Sequence, residues 1–156
     1  MTVEIGQEIP DITLKGSGGK AVRLANYRGK YVVLYFYPKD MTPGCTTEAC
    51  DFRDRHESFG ELNAVIVGVS PDPLEQHEKF IDKYDLPFEL LADEEKELSQ
   101  AFDVWKLKKN FGKEYMGIER STFLIDPEGK LVKEWRKVRV KGHVEEALEY
   151  LREEVK

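Results

Sequence analysis

Cysteine is scarce in this chain: there are two, Cys45 and Cys50, in 156 residues. Two cysteines do not make the disulfide framework of a small secreted scaffold, and in a reducing compartment a close pair more often signals redox chemistry or metal binding. They are not spaced as CxxC, so the chain lacks the dithiol motif of a disulfide reductase and does not supply its own reductant. Long apolar runs are missing as well. No stretch approaches the roughly 18 apolar residues of a membrane span. The start, Met1-Thr2-Val3-Glu4-Ile5-Gly6, lacks a basic-then-apolar pattern and reads as no signal peptide. The expected location is therefore cytoplasmic. Charge of one sign is absent too: 24 Lys and Arg against 30 Asp and Glu, interspersed, leave a net charge of −6. A mixed, mildly acidic surface argues against nucleic acid as a partner. No nucleotide loop and no haem or flavin signature occurs, so no cofactor is expected. Asn and Gln number three each, while charged residues reach 35%. Dense charge with few amides is the pattern of heat-tolerant proteins.

What is present has a clear rhythm. Ile9, Ile12 and Leu14 around Pro10 predict an edge strand over 6–14. A Gly-rich turn over 15–20 leads to a half-exposed strand over 21–24, and the two form a hairpin. Residues 31–37 and 64–70 are continuous apolar runs, which predict strands buried on both faces. Helices follow each: 46–59, with Ala49, Phe52, His56 and Phe59 on one face and Gly60 as its end, and a second helix after the capping signals Ser70-Pro71-Asp72-Pro73, with Leu74, His77, Ile81 and Tyr84 inward. A short strand over 88–92 precedes a helix over 93–102 capped by Asp93. Residues 104–117 carry Lys106, Lys108, Lys109 and Lys113 without a clean period and read as a solvated loop. Strands over 118–126 and 130–140 flank the turn Asp126-Pro127-Glu128-Gly129, and a helix over 142–155 closes the chain. Buried parallel strands with crossover helices and an antiparallel hairpin at one edge define a three-layer α/β sandwich on a central mixed sheet. There is no repeat or linker, and 1–156 reads as one domain.

The organising stretch is Tyr37-Pro38-Lys39-Asp40-Met41-Thr42-Pro43-Gly44-Cys45-Thr46-Thr47-Glu48-Ala49-Cys50. It joins a buried strand to a helix, where α/β folds present functional groups. If the helix starts near Pro43-Gly44, Cys45 lies in its first turn, where unpaired N–H groups and the dipole favour a thiolate. The pattern Pro38-x-x-x-Thr42-x-x-Cys45 resembles the signature of the peroxiredoxins, the cysteine-dependent thiol peroxidases. Cys50, five residues on, makes the stretch to Asp54 resemble their bacterioferritin-comigratory or Q-type branch. The resemblance extends over 24–54, 77–93 and 117–126, and implies a thioredoxin-like fold.

The resemblance implies a chemistry. A thiolate attacks one peroxide oxygen and the other leaves. A free cysteine thiol ionises near 8.5, so only about 3% is thiolate at pH 7; a thiol poised near 6 would be roughly 90% ionised, a difference of about 3.4 kcal/mol. A helix N-terminus supplies about 0.5–2 kcal/mol of that, so a cation is required. Arg120, before Ser121-Thr122-Phe123, matches the family's catalytic arginine; the alternative is a surface arginine paired with an acid. Thr42 would place the peroxide in line, or else cap the helix. Pro38 would wall the sulfur from water. Glu48 would hold Arg120, or else be an exposed helix residue. Cys50 would resolve a Cys45 sulfenic acid as an intramolecular disulfide, or else be a buried small residue. Five residues of helix span ~7.5 Å of rise, leaving Cα atoms about 8–9 Å apart, beyond the roughly 7 Å a disulfide tolerates. The helix is therefore expected to unwind locally in each cycle. The implied partners are a hydroperoxide substrate and thioredoxin or a similar dithiol protein, and the branch implies a monomer, with a weak dimer as the alternative. His56 and His77 are read as structural and His143 as exposed, and no metal site is expected. A redox-triggered binding or chaperone role finds no specific support in the residues.

Overall fold

The computed structural model describes residues 2–156; Met1, part of the segment read for a leader, lies outside the described residues. Strands β1 (Thr13–Gly16) and β2 (Ala21–Arg23) form the first hairpin. β3 (Tyr31–Phe36) and β4 (Ala64–Ser70) pair in parallel, and β5 (Glu89–Ala92) continues the parallel set beside β4. The sheet is completed by β8 (Ser121–Ile125), antiparallel to β3, and β9 (Leu131–Trp135), antiparallel to β8. A separate two-stranded ribbon supplies β6 (Trp105–Asn110) and β7 (Lys113–Ile118). The seven strands of the main sheet lie in the order β2-β1-β5-β4-β3-β8-β9.

The alternation of side chains in β3 explains the three layers. Leu34 and Phe36 face one core, with Val67, Val69, Phe102 and Phe123. Val33, Tyr35 and Tyr37 face the other, where the helices α1 (Pro43–Asp54), α2 (His56–Glu61), α3 (Leu74–Tyr84) and α5 (His143–Glu154) bury Phe52, Phe59, Phe80 and Leu148. The short α4 (Glu97–Ala101) covers the first face with Leu98. A strand buried on both faces has no polar position to alternate with, hence its continuous apolar run. Gly68 is required where the cores are tightest: a Cβ there would lie 2.7 Å from Leu90 Cδ2 and 2.9 Å from the Tyr35 ring.

Several sequence expectations change. The helix predicted over 46–59 starts three residues earlier and breaks at Arg55 into α1 and α2, which seats the Phe52 and Phe59 rings 6.0 Å apart. The reversal expected at Gly60 falls at Asn63, with φ of 61°, whose amide Nδ2 donates to the Gly29 carbonyl. The loop read over 104–117 is the β6–β7 ribbon. Its tight turn uses positive φ at Phe111 and Gly112, the pattern of a two-residue hairpin. It shows no clean alternation because it stands outside the main sheet and leaves Leu107, Phe111, Tyr115 and Met116 exposed. The strand read over 118–126 is interrupted at Glu119-Arg120, and that over 130–140 ends at Trp135. His143 is buried rather than exposed; its Nε2 lies 2.8 Å from the Thr122 hydroxyl. No side chain caps α3: the Asp72 carboxylate instead accepts from the Asp40 amide at 2.8 Å. Asp93 does bond the first turn of α4, accepting from the Leu98 and Ser99 amides.

Phe52 fixes α1 to the sheet, fully buried against Tyr35 at 4.6 Å between ring centroids. Phe52→Ala is expected to lower unfolding free energy by about 3–5 kcal/mol, read by guanidinium denaturation. A loss below about 1 kcal/mol would contradict this seat.

Candidate active site

The chain leaves β3 at its carboxyl end, turns through residues 37–42 and enters α1. Pro43 stands at the first helical position, suited to it because the missing N–H would have no partner there. Cys45 thus falls in the first turn and is 2% exposed. Arg120 arrives from the junction of β7 and β8, and its main-chain carbonyl accepts from the Val138 amide at 2.9 Å. Its guanidinium reaches across to α1. Nη2 donates to Cys45 Sγ at 3.2 Å and Nη1 donates to Glu48 Oε1 at 2.6 Å. Gly44 clears the way: a Cβ at that position would stand 3.3 Å from Nη2.

The electrostatics follow from burial. Glu48 is fully enclosed, and desolvation raises its carboxyl pKa to about 7 despite the opposing attraction of Arg120. Burial opposes the Arg120 charge, but Glu48 and Cys45 outweigh it and hold the guanidinium above its ordinary range. One Glu48 oxygen, Oε2, and the Tyr35 hydroxyl are buried without a hydrogen-bond partner. Burial first, and the nearby Glu48 second, push the Tyr35 phenol well above its usual pKa. On the ribbon, partial burial and the charge of Arg120 push the Lys108 ammonium down.

Three of the sequence-derived residues, Cys45, Glu48 and Arg120, therefore meet directly. Thr42 sits at the N-cap of α1 but makes no cap bond; its hydroxyl donates to the Lys39 carbonyl at 2.8 Å. Pro38 is half-buried at the start of the loop. Cys50 lies further along the same unbroken helix, half-buried, and both cysteines are free thiols. Burial raises the Cys50 pKa, with Arg53 opposing. Among the described residues the one group of three potential metal ligands is Asp40, Asp72 and His77, and neither cysteine belongs to it. Sequence reasoning missed Tyr35, Lys108 and Asp40 around the site. Tyr35 was hidden in an apolar run and Lys108 in an aperiodic one. Asp40 alone carried a usable signal, a carboxylate inside the motif loop.

A thiol at a helix N-terminus against a guanidinium, under a loop bearing Pro38 and Thr42 on a thioredoxin-like sheet, is the arrangement of the thiol peroxidases as a class. Comparison with known proteins narrows it. The profile of the AhpC/TSA family matches residues 5–134. Peroxiredoxin Bcp of Bacillus subtilis is 72% identical over 153 residues, 98% of each chain. The Xanthomonas campestris bacterioferritin comigratory protein, studied for its alkyl peroxide reduction activity, superposes with a TM-score of 0.92 at 43% identity, covering 98% of this chain and 100% of the other. A cysteine-to-serine mutant of Xylella fastidiosa PrxQ reaches a TM-score of 0.95 at 39% identity over 100% and 99% of the two chains. The chain belongs to the AhpC/TSA family and, within it, to the Bcp/Q peroxiredoxins, peroxidases that act on hydroperoxides.

The buried Glu48 carboxyl has a stability signature. Because its folded pKa is raised, the folded state binds the proton more tightly than the unfolded chain. Its contribution is favourable below the usual 4.5 and is lost as pH rises towards about 7. Relative to Glu48→Gln, the native protein should lose stability across that window by up to about 1.4 kcal/mol per pH unit, measured by denaturation at each pH. A pH-independent difference would contradict the assignment.

Proposed function

We propose that Cys45 is the peroxide-attacking thiolate and Cys50 its resolving partner, in a peroxidase recycled by thioredoxin or a similar dithiol protein. The observation that carries this reading is the pair of Arg120 contacts, one to Cys45 Sγ and one to Glu48. In the first step the Cys45 thiolate attacks the terminal oxygen of a hydroperoxide. The S–O bond forms as the O–O bond breaks, sulfur is oxidised to a sulfenic acid, and the leaving oxygen takes a proton to become water or an alcohol. Arg120 favours the thiolate before attack and the growing negative charge on oxygen during it. Glu48 orients Arg120 by occupying its other nitrogen. Thr42, with its proton committed to the Lys39 carbonyl, offers hydroxyl lone pairs to the hydroperoxide O–H. Pro38 screens the sulfur from water.

In the second step the Cys50 thiol attacks the Cys45 sulfenic acid, an S–S bond forms and water leaves. Both cysteines lie on one intact helix, five residues apart. That spacing leaves their Cα atoms about 8–9 Å apart, so α1 unwinds for the bond to close. The disulfide then accepts two electrons and two protons from an external dithiol. Hydrogen peroxide and organic hydroperoxides are the substrates, the second by analogy with the alkyl peroxide activity of the Xanthomonas relative. The reading takes the chain as a single peroxidase unit, monomeric and cytoplasmic.

One equivalent of hydrogen peroxide added to the reduced protein tests the cycle. Thiol counting and intact mass are expected to show both thiols lost and two hydrogens gone per chain. Cys50→Ser is expected to stop at one added oxygen on Cys45, and Cys45→Ser to leave peroxide unconsumed. A native chain that retains Cys50 as a free thiol after oxidation would demote Cys50 to a structural residue.

A further inference from the structure

A buried polar cluster lies next to the proposed chemistry without touching the reacting sulfur. His77 on α3 is completely enclosed. Its Nδ1 is 2.6 Å from Asp40 Oδ2, and its Nε2 is 2.8 Å from the Leu91 carbonyl. Asp40 Oδ1 accepts from the Tyr37 hydroxyl at 2.5 Å. A carbonyl can only accept, so Nε2 carries a hydrogen. The Nδ1–Oδ2 contact then shares a single proton, and the pair is neutral overall whichever atom holds it.

We propose that His77 is a positioning residue for the peroxidase site, acting through Asp40 on the 38–42 loop; the inference rests on the reading of Cys45 as the attacking thiol. Asp40 stands between Pro38 and Thr42. It is followed by Met41 at φ of 63°, a left-handed conformation that a non-glycine residue keeps only when its surroundings hold it. Contacts within the loop, Tyr37 to Asp40 and Thr42 to the Lys39 carbonyl, are joined by contacts from outside it. Asp40 is pinned through its side chain by α3. It is pinned through its amide by Asp72, which also accepts from the Ser70 hydroxyl at 2.6 Å. Thr42 is thereby fixed in register with Cys45. Burying an imidazole and a carboxylate is costly unless every polar atom is met, and apolar residues would fill the space at less expense. A fully bonded network here specifies one loop geometry. The pin also lies ahead of Pro43, outside the segment that unwinds, so the loop keeps its shape while α1 opens and re-forms on it.

Two substitutions separate positioning from folding. The amide of Asn overlies Nδ1 of histidine and that of Gln overlies Nε2. His77→Asn keeps a donor to Asp40 and gives up Leu91; His77→Gln does the reverse. The readouts are the rate of Cys45 oxidation by hydrogen peroxide, from competition with a reference peroxidase, and the melting temperature. His77→Gln is expected to be about tenfold slower or more, the scale of one lost charge-assisted bond. His77→Asn is expected within about threefold of native, with both variants losing similar melting temperature. Both at the native rate, or both slowed equally, overturns the proposal. If His77→Gln does not fold, the comparison moves to Asp40. Asp40→Asn can donate to Nδ1 and accept from Tyr37, completing the pattern, and should stay near native. Asp40→Ser is too short to reach His77 and should be about tenfold slower; equal rates overturn the proposal. A native protein that does not oxidise Cys45 would instead remove the peroxidase reading beneath it.

Discussion

The site depends on one half-buried guanidinium. Arg120 donates to Cys45 Sγ on one side and to Glu48 on the other, and in the proposed cycle it is the cation that supports a Cys45 thiolate. Each group alone would be expensive to bury; together they share their hydrogen bonds, and the residual cost appears at Glu48, whose carboxyl is pushed up to about 7. The surrounding fold serves this triad. The sheet places the end of β3 beside the start of β8, so that α1 and Arg120 converge. A side chain at Gly44 would crowd the guanidinium, 3.3 Å from Nη2.

This arrangement sets two demands on α1 that conflict. Holding Cys45 in the first turn, with Glu48 one turn on, requires the helix to be formed. Joining Cys45 to Cys50 requires it to be open. The proposed cycle therefore alternates between a folded helix that attacks peroxide and an unwound one that closes the disulfide. In that cycle the break at Arg55 and the aromatic seat of Phe52 would bound the unwinding on one side. The Asp40–His77 contact would bound it on the other. Local stability is thus part of the chemistry: a helix packed too firmly would strand the sulfenic acid, and one too loose would lose the Arg120 contact.

Much of this was legible in the residues. Strands β3 and β4 announced themselves because burial on both faces leaves no room for polar positions. Of the residues that the motif singled out, the fold brings Glu48 and Arg120 to Cys45, while Cys50 stands further along the helix and the Thr42 hydroxyl turns to the Lys39 carbonyl. Other features depend on tertiary context that local pattern does not carry. The β6–β7 ribbon pairs only with itself, so no buried face imposes a period. The burial of His143 depends on Thr122, 21 residues away in sequence. Glu48 looks like any helix-surface glutamate until the arginine that encloses it is located 72 residues on.

The proposed cycle stands or falls on the behaviour of α1. Deuterium exchange over residues 43–52 in the reduced and the disulfide forms measures it directly. The cycle requires strong amide protection in the reduced form and its loss in the disulfide form. Equal protection in both would mean that the bond closes without unwinding, and would contradict it.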